Sequence, residues 1–237
     1  MMNTCSLHVP VLRGISSMAT SHMLAEVQAL ASAAGCSLAF EATGGVDAAR
    51  RVAAGEPWDL VSLAADAMAE LAAAGHVLKD SVVPLVRSSM AIAVPEGAAL
   101  PAVDTEAVLL RMVRSARRIG YSTGPSGKAL LALFARWQLL DALQDRLVQT
   151  PAGIPVATLL ARQQVDLGFQ QRSELQGVPG VRVLGDMPPG LEITTTFCGA
   201  VATVSRYPQA ARRALAWLAS DATDACKLRH GLLPAHV

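Results

Sequence analysis

Four short stretches place small hydroxyl or glycine residues directly after a strand-like apolar run and just ahead of a helix-prone one. They are Ser16-Ser17, Thr43-Gly44-Gly45, Ala64-Ala65-Asp66 and Tyr121-Ser122-Thr123-Gly124-Pro125-Ser126-Gly127-Lys128. The start of a helix offers unpaired N–H groups and the positive end of the helix dipole. Several such starts facing one crevice make an anion site without any metal or cofactor. Taken singly, each stretch also reads as an ordinary helix cap.

Other chemistries fail on spacing. Gly127-Lys128 invites a nucleotide-binding loop, but that loop needs glycine where Ser122 stands and a hydroxyl where Ala129 stands. His8, His22, His76, His230 and His236 form no HxH or HxxxH pair, and no GxSxG elbow occurs. Cys5, Cys36, Cys198 and Cys226 make no CxxC pair, so buried free thiols are expected rather than zinc or a disulfide framework. No metal and no cofactor are expected. Only Lys79, Lys128 and Lys227 are lysines, which gives Lys128, inside one of these turns, added interest.

The elements that must position these turns follow from the apolar periodicity. Strands are expected near residues 7–12, 37–41 and 59–63, with helices over 18–34, 46–54 and 65–74. Three strand–helix units in succession argue for a parallel sheet with covering helices. A longer β-prone run covers 82–94, followed by a helix over 105–116, a strand at 118–121 and a helix over 126–139. Alternation continues through 147–149, 154–162, 166–169 and 181–184. A second β-rich stretch over 193–204 leads into helices over 208–219 and 222–228. The two β-rich stretches bracket the middle of the chain. They fit two crossings between lobes; on pattern alone, a single doubly wound sheet fits as well. Ligands of open α/β sheets bind beyond the carboxyl ends of the strands, where the four turns fall.

The chain has 237 residues, is 52% apolar and 16% charged, and carries a net charge of +1. That is too apolar for disorder and too neutral for a nucleic-acid surface, and there is no helix-turn-helix. Residues 61–78, the best membrane-span candidate, are broken by Asp66, Glu70 and His76. The opening Met1-Met2-Asn3-Thr4-Cys5 has neither a basic region nor an apolar one, so no export signal is expected.

The order of several segments resembles a known family. Ser16-Ser17 is followed by Pro57-Trp58-Asp59-Leu60-Val61 leading to Ala65-Asp66, then by residues 71–78 and Val86-Arg87-Ser88-Ser89-Met90-Ala91-Ile92-Ala93-Val94-Pro95. Gly124-Pro125-Ser126-Gly127 and Val165-Asp166-Leu167-Gly168-Phe169 come later. From about residue 7 to residue 228 this is similar to the molybdate-binding periplasmic proteins, type 2 solute-binding proteins of ABC transporters. The resemblance implies an α/β, two-lobe type 2 periplasmic-binding-protein fold with two crossover strands. Residues 1–88 and 198–237 would form one lobe and 89–197 the other, closing on an anion in the cleft. It also implies a monomer, an ABC-transporter membrane component as partner, and no nucleic acid. The location would be periplasmic if an export signal was removed, and cytoplasmic if Met1 is the native start.

By this resemblance the ligand would be held by Ser16, Ser17, Gly44, Gly45, Ala65, Asp66, Ser122, Gly124, Ser126, Gly127 and Gln171. The chain also departs from the family. Thr43-Gly44-Gly45 stands where a serine usually serves the oxyanion, and Gln171 stands where a tyrosine is common. Arg13 and Lys128 add cations beside the predicted turns, unless they point to solvent. Cations there suit a small carboxylate better than molybdate, because Arg offers carboxylates a bidentate fork. A solute-binding protein for a small oxyanion or carboxylate is therefore the leading expectation. The alternative is the aconitate-isomerase-like branch of the resemblance, which shifts a proton on an unsaturated tricarboxylate. Such a shift needs one positioned acid–base group, with Lys128, Glu41 and Asp66 as candidates.

Overall fold

The computed structural model describes residues 10–33, 36–98, 102–151 and 153–236. Cys5, His8, Gly35, Pro101 and the first part of the expected opening strand lie outside them. The elements run β1 (Val11–Ser17), α1 (Ser21–Ala33), β2 (Ser37–Thr43), α2 (Gly45–Ala53), β3 (Leu60–Ala64), α3 (Ala65–Ala73), β4 (Val83–Pro95) and α4 (Glu106–Ser115). They continue with β5 (Ile119–Tyr121), α5 (Pro125–Arg136), α6 (Leu140–Leu143), β6 (Leu147–Gln149), α7 (Val156–Ala161) and β7 (Leu167–Gln171). The chain ends with α8 (Arg172–Leu175), β8 (Val181–Asp186), β9 (Thr194–Val201), α9 (Pro208–Ala219), α10 (Asp224–Arg229) and β10 (Leu233–Pro234). Among the described residues no helix is long and apolar enough to cross a membrane.

The strands lie in the order β2-β1-β3-β9-β4-β7-β5-β6, with β8 and β10 also on β4. β1 pairs in parallel with β2 and β3, and β5 in parallel with β6 and β7, so each end of the sheet is a set of βα units. The centre is antiparallel: β9 pairs with β3 and β4, and β4 pairs with β7 and β8. Within β4, residues 83–89 are matched to β9 and residues 90–95 to β7 and β8. One strand thus serves both halves of a curled α/β sheet.

Burial follows the same division. Leu85 and Val86 of β4 pack with Leu12, Met23, Leu60, Val201 and Leu215. Further along the strand, Met90, Ile92 and Val94 join Leu109, Phe134 and Phe169 on one face. Ala91 and Ala93 turn to the opposite face, against Val156 and Leu160, as the two-residue pleat of a strand requires. Gly120 and Gly168 are register partners. A Cβ on either would come within 3 Å of Val156 Cγ1, so the paired glycines let α7 sit close on the strands.

Candidate functional site

In a parallel arrangement the helix after each strand begins at the strand's carboxyl end. Here α2, α3 and α5 begin at Gly44-Gly45, Ala64-Ala65 and Gly124-Pro125, and all three starts line one cavity of about 500 Å³. That volume suits a small organic ligand. None of the three cap residues makes a side-chain capping bond. On α4, by contrast, the Thr105 hydroxyl accepts from Val108 N. The three cleft-facing starts therefore keep N–H groups for a ligand. On α5, Pro125 has no N–H, which makes Ser126 and Gly127 the first donors of that helix.

The wall from the other side of the chain is built on β7 and α8. Gln170 Oε1 accepts from Val156 N (2.7 Å) and Ala157 N (3.4 Å), so the start of α7 is already filled by a side chain. The same amide donates through Nε2 to Glu174 Oε2 at 2.6 Å. Next to it, Gln171 Nε2 donates to Thr195 Oγ1 at 2.9 Å, while its Oε1 is buried without a partner among the described residues. The two sides touch directly: Ser173 Oγ donates to Ala19 O at 2.7 Å.

The side-chain charges at the cavity do not favour an anion. Among the described lining residues Lys128 is the single cation, against the carboxylates Asp66, Glu70 and Glu174. Lys128, Asp66 and Glu70 are exposed, and Glu174 is half-buried. Burial pushes the Glu174 carboxyl up to about 7, and the Gln170 bond opposes this only in part. Around neutrality this wall therefore gains or loses one proton, and attraction for an anion rests on the helix starts.

A carboxyl whose folded-state pKa is raised binds its proton more tightly folded than unfolded. Its contribution to stability is present below the ordinary value of 4.5 and is lost as the pH rises through about 7. Denaturant titrations of the ligand-free protein between pH 5 and pH 8 should show a loss of up to about 3 kcal/mol, and Glu174→Gln should flatten this slope. A parent and variant with the same slope would contradict the assignment.

Of the residues expected from the sequence, Gly44, Gly45, Asp66, Ser122, Gly124, Ser126, Lys128 and Gln171 line the cavity. Ser17 stands directly behind it: a Cβ on Gly45 would lie 3.7 Å from Ser17 Cβ, and the Ser17 hydroxyl is buried and unpartnered among the described residues. Ser16 is fully buried within β1, in register with Ala42 and Ser62. Ala65 and Gly127 form the helix turns without lining the space. Gln171 lines the cavity with its amide N–H engaged by Thr195.

Two candidates lie outside the cavity lining. Arg13 sits three residues before Ser16 on β1, with its guanidinium 4.7 Å from the centre of the Trp58 ring. Glu41 is likewise turned away, paired with Arg51, which holds its carboxyl below the usual carboxylate range.

Sequence reasoning missed Gln170 and Glu174, whose arrangement depends on the one-turn helix α8. It also gave no sign that Glu26, Cys226 and His230 would come together, with ligand atoms within 4.8 Å. In that cluster Arg229 and His230 bond the Glu26 carboxylate and hold its pKa down, while burial pushes the Cys226 thiol up to about 11. The carboxylate is thus already engaged and the thiol stays protonated.

Residues 12–233 match the family described as bacterial extracellular solute-binding protein. A curated aconitate isomerase from Pseudomonas sp. is 38% identical over 178 residues, covering 75% of this chain and 67% of that one. Among solved structures, the periplasmic molybdate-binding protein of Azotobacter vinelandii aligns with a TM-score of 0.78 at 16% identity, covering 94% of this chain and 98% of that one. A sulfate-binding protein from Mycobacterium tuberculosis aligns with a TM-score of 0.77 at 18% identity, covering 96% and 88%. At those identities the structures speak for the two-lobe fold alone.

Proposed function

The chain belongs to the bacterial extracellular solute-binding protein family, and on that premise we propose that it holds a small carboxylate or oxyanion in the cleft between its lobes. One observation carries this reading: the starts of α2, α3 and α5 meet at one cavity with no side chain capping any of them. The molybdate- and sulfate-binding relatives make an anion the natural class of solute. Lys128, an exposed lining residue, supplies a cation that can pair with either class of anion.

The lobes divide within β4 near Ser88 and again within β9 near Phe197, giving 1–88 with 198–237 and 89–197. The change of core partners between Val86 and Met90 supports this. Ligand binding closes the lobes about these crossings. Delivery to an ABC-transporter membrane component, from a periplasmic location and as a monomer, follows from the same reading.

Calorimetric titration with trans-aconitate, molybdate and sulfate tests the binding. Ser126→Ala should weaken carboxylate binding by about 1.5–3 kcal/mol, since that hydroxyl would bond a charged group. Arg13→Ala should bind as the parent does. Parental affinity in both Ser126→Ala and Lys128→Ala would remove the α5 turn from the site.

A second reading has its own support. Glu174 is a proton-exchanging carboxyl on the cavity wall, and the curated relative is named for isomerising aconitate. In this reading the cleft converts an unsaturated tricarboxylate rather than delivering it.

A further inference from the structure

We propose that Glu174 is the acid–base residue that carries the proton between two carbons of an unsaturated tricarboxylate bound in this cleft. The inference rests on the isomerase reading and adds to it the group that does the chemistry.

The geometry singles out this residue. A proton-transfer group must face the ligand, be held still and be able to take up and release a proton near working pH. Glu174 lines the cavity and is half-buried. It is fixed by a short relay: Val156 N and Ala157 N hold the Gln170 carbonyl, and the Gln170 amide in turn holds Glu174 Oε2 at 2.6 Å. Burial then brings the carboxyl to about 7, where it serves as base and acid in the same turnover.

The other charged groups nearby are less well placed. Asp66 and Glu70 on α3, and Lys128 on α5, share the cavity but are exposed. On α8 itself, Arg172 is taken by Asp186 of β8 at 2.8 Å. Arg87 on β4 and Arg182 on β8 belong to elements packed against α8, and neither lines the cavity.

The step balances without a co-reactant. Ionised Glu174 takes a proton from the substrate's methylene carbon, breaking that C–H bond. The released pair forms a new double bond to the neighbouring carbon. The former π pair moves to the far alkene carbon, which takes the proton back from the now neutral carboxyl. Nothing is oxidised or reduced, and Glu174 ends as it began.

The experiment follows trans-aconitate by NMR in D2O, with calorimetric titration alongside. The parent should form the cis isomer. Glu174→Gln should lose about 10²–10⁴-fold in turnover while binding trans-aconitate within a few-fold of the parent. Glu174→Asp, which keeps the acid but shortens it, should retain part of the activity. Gln170→Leu removes the bond that opposes the raised pKa, so the ascending limb of its pH–rate profile should move to higher pH. Parental turnover in Glu174→Gln overturns the assignment and leaves the isomerase reading standing. A parent that binds trans-aconitate but forms no cis isomer and exchanges no deuterium overturns both, leaving the binding reading intact.

Discussion

Replacing Gly127 with alanine should both destabilise the protein and weaken ligand binding. A Cβ there would lie 1.9 Å from the Ser122 carbonyl oxygen and 3.0 Å from its carbon. These are backbone atoms, so no side-chain rotation relieves the overlap. Either the 122–124 loop moves outward or the first turn of α5 opens. Overpacking of this kind costs about 1–3 kcal/mol, sometimes more, and outweighs the helix preference of alanine over glycine, about 1 kcal/mol. Both routes displace the Ser126 and Gly127 N–H groups, so affinity should fall together with stability. Urea titration and calorimetry on the same preparation test the pair. A variant with parental midpoint and parental affinity would show that the loop yields freely.

The second large effect is expected far from the cleft. Lys227 is fully buried, and its ammonium donates to Asp224 Oδ1 at 2.9 Å and to Ser220 O at 3.1 Å. Asp224→Ala leaves that charge enclosed with one carbonyl for company. Stranding one member of a buried pair costs about 3–5 kcal/mol. Lys227→Met should be milder, because it removes the buried charge and keeps the stem's packing, while Asp224 retains some solvent contact and a 3.1 Å contact to His236. Denaturant midpoints should therefore rank parent, Lys227→Met, Asp224→Ala. The reverse order of the two variants would mean that the ammonium finds water once its partner is gone.

The sequence carries more of the scaffold than of the wall that completes the site. The long β-prone run at 82–94 becomes β4 one residue later; its second half, residues 90–94, is buried on both faces and reads as an unbroken apolar run. The turns at Gly44-Gly45, Ala64-Ala65 and Gly124-Pro125 were legible because glycine, proline and small residues mark where helices start. Glu174 was not, since α8 spans only four residues and a single turn has no periodicity to detect. Arg13 was placed beside the turns for another reason. Its neighbours in sequence lead to the cleft, but its partner in space is Trp58, which no local pattern connects to it. Gly127 was weighed as part of a phosphate loop, whereas its value lies in the carbonyl packed against it.

Because β4 contributes to the packed interior on both sides of the cleft, neither lobe can melt alone without tearing a central strand out of the other. The chain should therefore unfold as a single cooperative unit despite its two-part shape. A solute gripped in the crevice consequently protects every part of the protein at once, since stabilisation by mass action is shared by whatever must unfold together. Resistance to proteolysis at the most distant helix would then report occupancy of the cleft.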